Sequence, residues 1–140
     1  QIASFYAGIA ITASGATAVH ALSYPLGGKY HIAHGVSNAI LLAPVMRFNE
    51  PACRERLAAV YDRCMRGGEA TAEGKSAAVI ARLEQIVKHL DIPTSLTEFG
   101  VPKGDLEALV ASGMEVTRLL VNNLRPVTPD DARRIYQEIL

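Results

Sequence analysis

From Gln1 to Leu26 the chain contains no Asp, Glu, Lys or Arg, and this charge-free stretch constrains the fold more than any other segment. It is long enough to span a bilayer. However, Ala, Gly, Ser and Thr dominate it, His20 lies inside it and no basic cluster flanks it, which argues against a membrane anchor or a signal peptide. Small residues on all sides favour a helix that neighbouring helices cover closely. We therefore predict a buried core helix and no membrane partner.

The composition is that of an ordinary globular domain of 140 residues, with 49% hydrophobic and 20% charged residues. Basic and acidic residues balance at 14 each, so charge gives no reason to expect a nucleic-acid partner. Cys53 and Cys64 form neither a disulfide framework nor a zinc-binding spacing, which is typical of a reducing, cytoplasmic location.

Apolar residues recur at helical spacing along most of the chain, and no alternating strand pattern interrupts them. We expect Pro25 to Gly28 to end the first helix, Pro44 to bend or end the second, and Pro51 to open the third. The last helix should begin after a Thr128 cap. The predicted helices cover residues 2–21, 35–48, 51–66, 75–90, 96–99, 105–112 and a segment from 129 onward. This pattern predicts an all-α helical bundle.

Three of the four histidines, His20, His31 and His34, lie between Val19 and Gly35. His20 and His34 are too far apart for one helix face, but the spacing fits one residue near the end of a helix and one at the start of the next. Neutral imidazoles bind divalent transition metals well, although two of them make an incomplete site. Spacing alone favours the plainer alternative, in which both histidines form hydrogen bonds in a polar pocket. His31 is expected at the surface.

The order of residues between Gly15 and Asn49 resembles the second signature of the iron-containing alcohol dehydrogenases. That family pattern contains a Gly, a His, a Pro-Leu-Gly turn, a His-Gly pair and an Asn-Ala helix. The matching residues here are Gly15, His20, Pro25-Leu26-Gly27, His34-Gly35 and Asn38-Ala39. Stretches beginning at Ile92 and at Asn122 also resemble the family, so the resemblance extends over nearly the whole chain.

The resemblance implies a metal-dependent, NAD- or NADP-linked alcohol dehydrogenase that acts on a small alcohol or aldehyde. Family members have an N-terminal nucleotide-binding domain and a C-terminal all-helical domain. A divalent metal, usually Fe²⁺ and sometimes Zn²⁺, lies between the domains on one Asp and three His, of which His20 and His34 would be the last two. The metal would polarise the substrate oxygen during hydride transfer.

Residues 1–140 would then be the C-terminal helical metal-binding domain of a longer enzyme. The nucleotide-binding domain, the first part of the helical domain and the other two metal ligands would lie upstream of Gln1. We expect this chain alone to be inactive. A face that normally meets the missing domain would also favour association into a homo-oligomer.

The resemblance assigns further residues by their position in the motif. Tyr24 stands where several family members carry another histidine near the nicotinamide and substrate, which makes it the candidate catalytic residue. Ile11 and Leu26 are expected to line the substrate side, and Asn122 and Asn123 to contact the cofactor. The alternative for these last four residues is plain packing or loop capping.

The sequence leaves two other functions possible as alternatives. One is a related enzyme of the same superfamily, such as a glycerol dehydrogenase, a maleylacetate reductase or a dehydroquinate synthase. The other is a helical interaction module without catalysis, because the chain holds only two of the expected metal ligands. A glycine-rich nucleotide segment and an Asp-x-x-x-His pair upstream of Gln1 would favour the enzyme.

Overall fold

The computed structural model describes all 140 residues and consists of helices joined by loops, without a strand. The all-α prediction is confirmed. Two short 3₁₀ helices, Leu96–Phe99 and Lys103–Asp105, lie between the fourth and fifth α-helices. The α-helices are α1 (Ile2–Ser14), α2 (Ala18–Tyr30), α3 (His34–Cys64), α4 (Ala72–His89), α5 (Leu106–Met114), α6 (Thr117–Leu120) and α7 (Pro129–Gln137).

The charge-free N-terminal stretch forms two helices, so the prediction of one helix over residues 2–21 is wrong. Gly15 ends α1 with φ 75° and ψ 168°, a backbone conformation that is essentially restricted to glycine. The axes of α1 and α2 meet there at 105°. Because α1 leaves the bundle at this corner, none of its residues is buried. The prediction of a covered helix is therefore wrong for α1, whereas Ala18 and Leu22 of α2 are fully buried.

The helix α1 presents an unpartnered apolar face. Ile2, Phe5, Tyr6 and Ile9 follow the spacing of one helix side and are 76%, 68%, 65% and 52% exposed. No single helix of the chain is long and apolar enough to cross a membrane. By length and hydropathy alone, α1 and α2 taken together as a bent pair meet that requirement.

Three prolines lie inside helices at positions where the sequence predicts breaks. The helix α2 continues through Pro25 to Tyr30, and α3 continues through Pro44 and Pro51. The helices predicted at 35–48 and 51–66 are therefore one. A proline inside a helix removes a backbone hydrogen bond and costs about 3 kcal/mol. Tertiary packing opposes this cost, because Pro44 itself is buried.

The loop after α6 also supports the middle of α3. The side-chain amides of Asn49 and Asn123 donate to each other's oxygen atoms, at 3.0 and 2.8 Å. Arg125 donates to the carbonyl of Phe48, and its guanidinium carbon lies 4.3 Å from the centroid of the Phe48 ring. These contacts join residues far apart in sequence. They stabilise the helical backbone immediately before Pro51.

The main core lies where α2 packs against α3 and α5, with α7 closing it from the C-terminal side. Tyr136 of α7 is fully buried, and its hydroxyl donates to the carbonyl of Leu22 at 2.6 Å. Gly113 of α5 allows close approach, because a Cβ there would lie 2.8 Å from Leu22 Cδ2 and 3.1 Å from Tyr136 Oη. The predicted cap of α7 is confirmed, since Thr128 and Asp131 form a capping box. Packing in this core fixes the position of α2 and of the side chains that α2 carries.

Candidate metal centre

His20 and His34 lie side by side, on different helices. Their ring centroids are 5.3 Å apart and their planes are tilted by 52°. His34 is the first residue of α3, as predicted, whereas His20 lies in the first turn of α2 and not near the end of a helix. The corner at Gly15 explains the difference, because it starts a new helix shortly before His20.

Tyr24 completes a cluster of three rings with the two histidines. It lies one turn after His20 on α2, and its ring centroid is 6.0 Å from that of His34. Tyr24 is 39% exposed, so part of the residue is open to solvent. We call His20, Tyr24 and His34 the histidine cluster.

Asn38 orients His34 from one turn further along α3. Its Nδ2 atom lies 3.0 Å from Nε2 of His34. Its Oδ1 atom is buried and has no hydrogen-bond partner. Asn38 belongs to the family signature, but its contact with His34 was not predicted from the sequence. The i,i+4 spacing from His34 is the signal that could have identified this contact.

The environment of His20 favours the neutral imidazole. Desolvation by partial burial lowers the pKa of His20, and the electrostatic effect of the neighbouring His34 lowers it further. Neutral imidazole is the form that binds a metal ion.

The donor atoms of the cluster fit part of a site for a divalent transition metal. Two imidazoles on two packed helices are suitable ligands for Fe²⁺ or Zn²⁺. No group of three or more His, Cys, Asp or Glu side chains in this chain is arranged to hold a metal. His34 is exposed, which leaves space for ligands from elsewhere. The two histidines therefore fit part of a metal site.

Arg118 of α6 also reaches the cluster, a contact that the sequence did not predict. Its Nη2 atom lies 3.3 Å from Tyr24 Oη, and its guanidinium carbon is 5.8 Å from the Tyr24 ring centroid. Arg118 and Tyr24 are 94 positions apart. No local sequence pattern could have identified this contact.

The structure places the other predicted site residues as follows. Asn122 donates to the carbonyl of Ala16 at 3.3 Å and to that of Arg118 at 3.5 Å, while Asn123 pairs with Asn49. Contact of either asparagine with a cofactor stays a prediction.

The two residues expected on the substrate side lie in different environments. Leu26 is fully buried in the main core, whereas Ile11 on α1 is 51% exposed. Packing is the visible role of Leu26, and contact of either residue with substrate stays a prediction. His31 is exposed, as expected, and ends α2 in the left-handed conformation with φ 55°.

Comparison with known proteins identifies the family. The model for the C-terminal region of the Fe-containing alcohol dehydrogenase family matches residues 1–140. The chain belongs to the Fe-containing alcohol dehydrogenase family. This membership confirms the resemblance seen between Gly15 and Asn49.

Two relatives illustrate the range of this family. Long-chain-alcohol dehydrogenase 1 of Geobacillus thermodenitrificans is 38% identical over 137 residues, which are 96% of this chain and 34% of that protein. The 4-hydroxybutyrate dehydrogenase of Clostridium kluyveri is 32% identical over 140 residues, or 99% of this chain and 37% of that protein. This chain therefore spans about a third of the length of these dehydrogenases.

Solved structures of an alcohol dehydrogenase and of a propanediol oxidoreductase share the fold. Alcohol dehydrogenase from Oenococcus oeni superposes with a TM-score of 0.86 at 27% identity, over 96% of this chain and 35% of that one. A 1,3-propanediol oxidoreductase superposes with a TM-score of 0.82 at 25% identity, over 89% of this chain and 32% of that one. The helical arrangement described above is thus that of the C-terminal region of the family.

Proposed function

We propose that this chain is the C-terminal helical domain of a metal-dependent, NAD(P)-linked alcohol dehydrogenase of the cytoplasm. The observation that carries the proposal is the pairing of His20 and His34, with ring centroids 5.3 Å apart, in a chain of the Fe-containing family. Relatives named for long-chain alcohols and for 4-hydroxybutyrate support an oxidoreductase that acts on hydroxyl groups.

In this proposal His20 and His34 hold half of the metal site, and Asn38 keeps the His34 ring in position. A divalent metal bound there would act as a Lewis acid on the oxygen of the alcohol or aldehyde. Arg118 donates to Tyr24 Oη, which leaves the proton on that oxygen free to be donated. Tyr24 can therefore exchange a proton with a substrate hydroxyl beside the cluster.

The remaining parts of the site belong to sequence outside this chain. They are an Asp, a third His and the domain that binds NAD or NADP. The greater length of the relatives accommodates these parts. The exposed apolar face of α1 is where we place the contact with that part of the protein or with a second copy.

The experiment that tests this proposal follows NAD(P)H formation by the full-length gene product over a panel of small alcohols. Treatment with a chelator should abolish the activity, and adding Fe²⁺ or Zn²⁺ should restore it. Activity that survives complete removal of the metal would contradict the proposal. If the folded, metal-loaded protein turns over no alcohol, the alternative of a helical interaction module without catalysis remains. The α1 face would then be its binding surface.

A further inference from the structure

We propose that Arg118, held against Tyr24, binds a carboxylate beside the histidine cluster and selects hydroxy acids as substrates. The inference rests on the proposed function, because it assumes that the substrate hydroxyl lies at the histidine cluster. It adds a substrate class and a specificity-determining residue to that function.

The position of Arg118 is fixed from two sides. Its guanidinium contacts both the hydroxyl and the ring of Tyr24. Its backbone carbonyl accepts a hydrogen bond from Asn122, which also donates to the carbonyl of Ala16 at the corner between α1 and α2. Gly15 leaves room for this link, because a Cβ there would lie 3.2 Å from Asn122 Nδ2. The backbone of Arg118 is thus tied to the same corner that sets the start of α2, and its guanidinium is held by Tyr24.

The charge of Arg118 has no partner in the chain. Eight ion pairs link basic side chains to carboxylates, and none of them includes Arg118. Glu115 lies one turn earlier in sequence and does not pair with it. The single hydrogen bond to Tyr24 leaves most of the five N–H donors of the guanidinium free. A planar cation of this kind binds a carboxylate through two parallel hydrogen bonds.

The distances suit a short bifunctional substrate. The Tyr24 ring lies 6.0 Å from the His34 ring and 5.8 Å from the Arg118 guanidinium carbon. Both groups are therefore close enough to Tyr24 for a small hydroxy acid to place its hydroxyl at the histidines and its carboxylate at Arg118. A phosphate of the nucleotide cofactor would bind the Arg118 guanidinium in a similar way. The measurements must therefore distinguish a bound phosphate from a substrate carboxylate.

The test compares 4-hydroxybutyrate with 1-butanol in the full-length enzyme, because each has a primary hydroxyl on a four-carbon chain and only the first has a carboxylate. Arg118→Gln should lower the ratio of their kcat/KM values by at least about tenfold, mainly through the KM for 4-hydroxybutyrate. Arg118→Lys should retain part of the ratio. The matched control is Arg82→Gln on α4, where the guanidinium contacts only Gln85, and it should leave the ratio unchanged. An unchanged ratio in Arg118→Gln, or an equal rise in the KM for NAD(P) with both substrates, would overturn the proposal.

Equilibrium binding of butyrate separates this proposal from the proposed function, because butyrate has the carboxylate but no hydroxyl to oxidise. We expect calorimetry on the full-length protein to show at least about tenfold weaker butyrate binding in Arg118→Gln. If this loss occurs in a protein that oxidises no alcohol, the carboxylate site stands and the dehydrogenase function fails. If the protein oxidises 1-butanol but Arg118→Gln binds butyrate as tightly as the native protein, only the carboxylate site fails.

Discussion

Replacing His34 by alanine in the full-length protein is expected to weaken the binding of a divalent metal by more than about hundredfold and to abolish metal-dependent turnover. His34 supplies one of the two imidazoles that this chain would contribute to the metal site, and the other, His20, lies beside it with a centroid distance of 5.3 Å. Replacing His20 should have a similar effect. The double variant should lose little more metal binding and turnover than either single variant, because a metal centre fails as a unit when a ligand is missing.

Metal content after gel filtration, together with competition by a chelator, measures this effect directly. His34 is exposed at the start of α3, so its replacement should leave the helical content unchanged by circular dichroism. His89→Ala is the matched control, since His89 is an exposed histidine in the last turn of α4. Native metal content and turnover in both His20→Ala and His34→Ala would show that the cluster holds no metal.

Replacing Tyr136 by alanine is expected to destabilise the helical domain by about 3–5 kcal/mol, because it removes a large, fully buried ring from the main core. Burial raises the pKa of the Tyr136 phenol, so the hydroxyl stays protonated and continues to donate to the Leu22 carbonyl. Tyr136→Phe removes only that hydrogen bond and should cost about 1 kcal/mol. The difference between the two variants therefore separates ring packing from the hydrogen bond.

Native-state hydrogen exchange at the amides of α2, α5 and α7 in the full-length protein measures this free energy within the domain. Leu90→Ala is the control for an exposed apolar side chain. Leu90 is 62% exposed at the end of α4, and its truncation should change the stability by less than about 0.5 kcal/mol. Equal effects of Tyr136→Ala and Leu90→Ala would contradict the burial of the Tyr136 ring in the main core.

Those parts of the fold that depend on contacts between residues close together in the sequence could be predicted from the sequence. The capping box of Thr128 and Asp131 is one example, because both partners lie within one helical turn. The continuity of α3 through Pro51 could not be predicted, because contacts from Asn123 and Arg125 support it over a long sequence distance. Composition also misled at α1, where small apolar residues predict burial but the helix leaves the bundle.

The candidate site shows the same division between local and distant contacts. The order of motif residues, more than their spacing, indicated that His20 and His34 act together, and the structure places their rings side by side. The contact of Asn38 with His34 could have been predicted from the sequence, because the two residues have the i,i+4 spacing of one helix face. The contact of Arg118 with Tyr24 could not, because only the folding of α6 against α2 brings the two residues together.

The most direct test of the metal assignment is anomalous diffraction at the iron absorption edge from crystals of the full-length protein grown with Fe²⁺. We expect one anomalous peak within about 2.1 Å of an imidazole nitrogen of both His20 and His34, the distance typical of a divalent metal on histidine. An iron peak that touches neither histidine, in a protein whose turnover requires iron, would contradict the assignment of the histidine cluster as the metal centre.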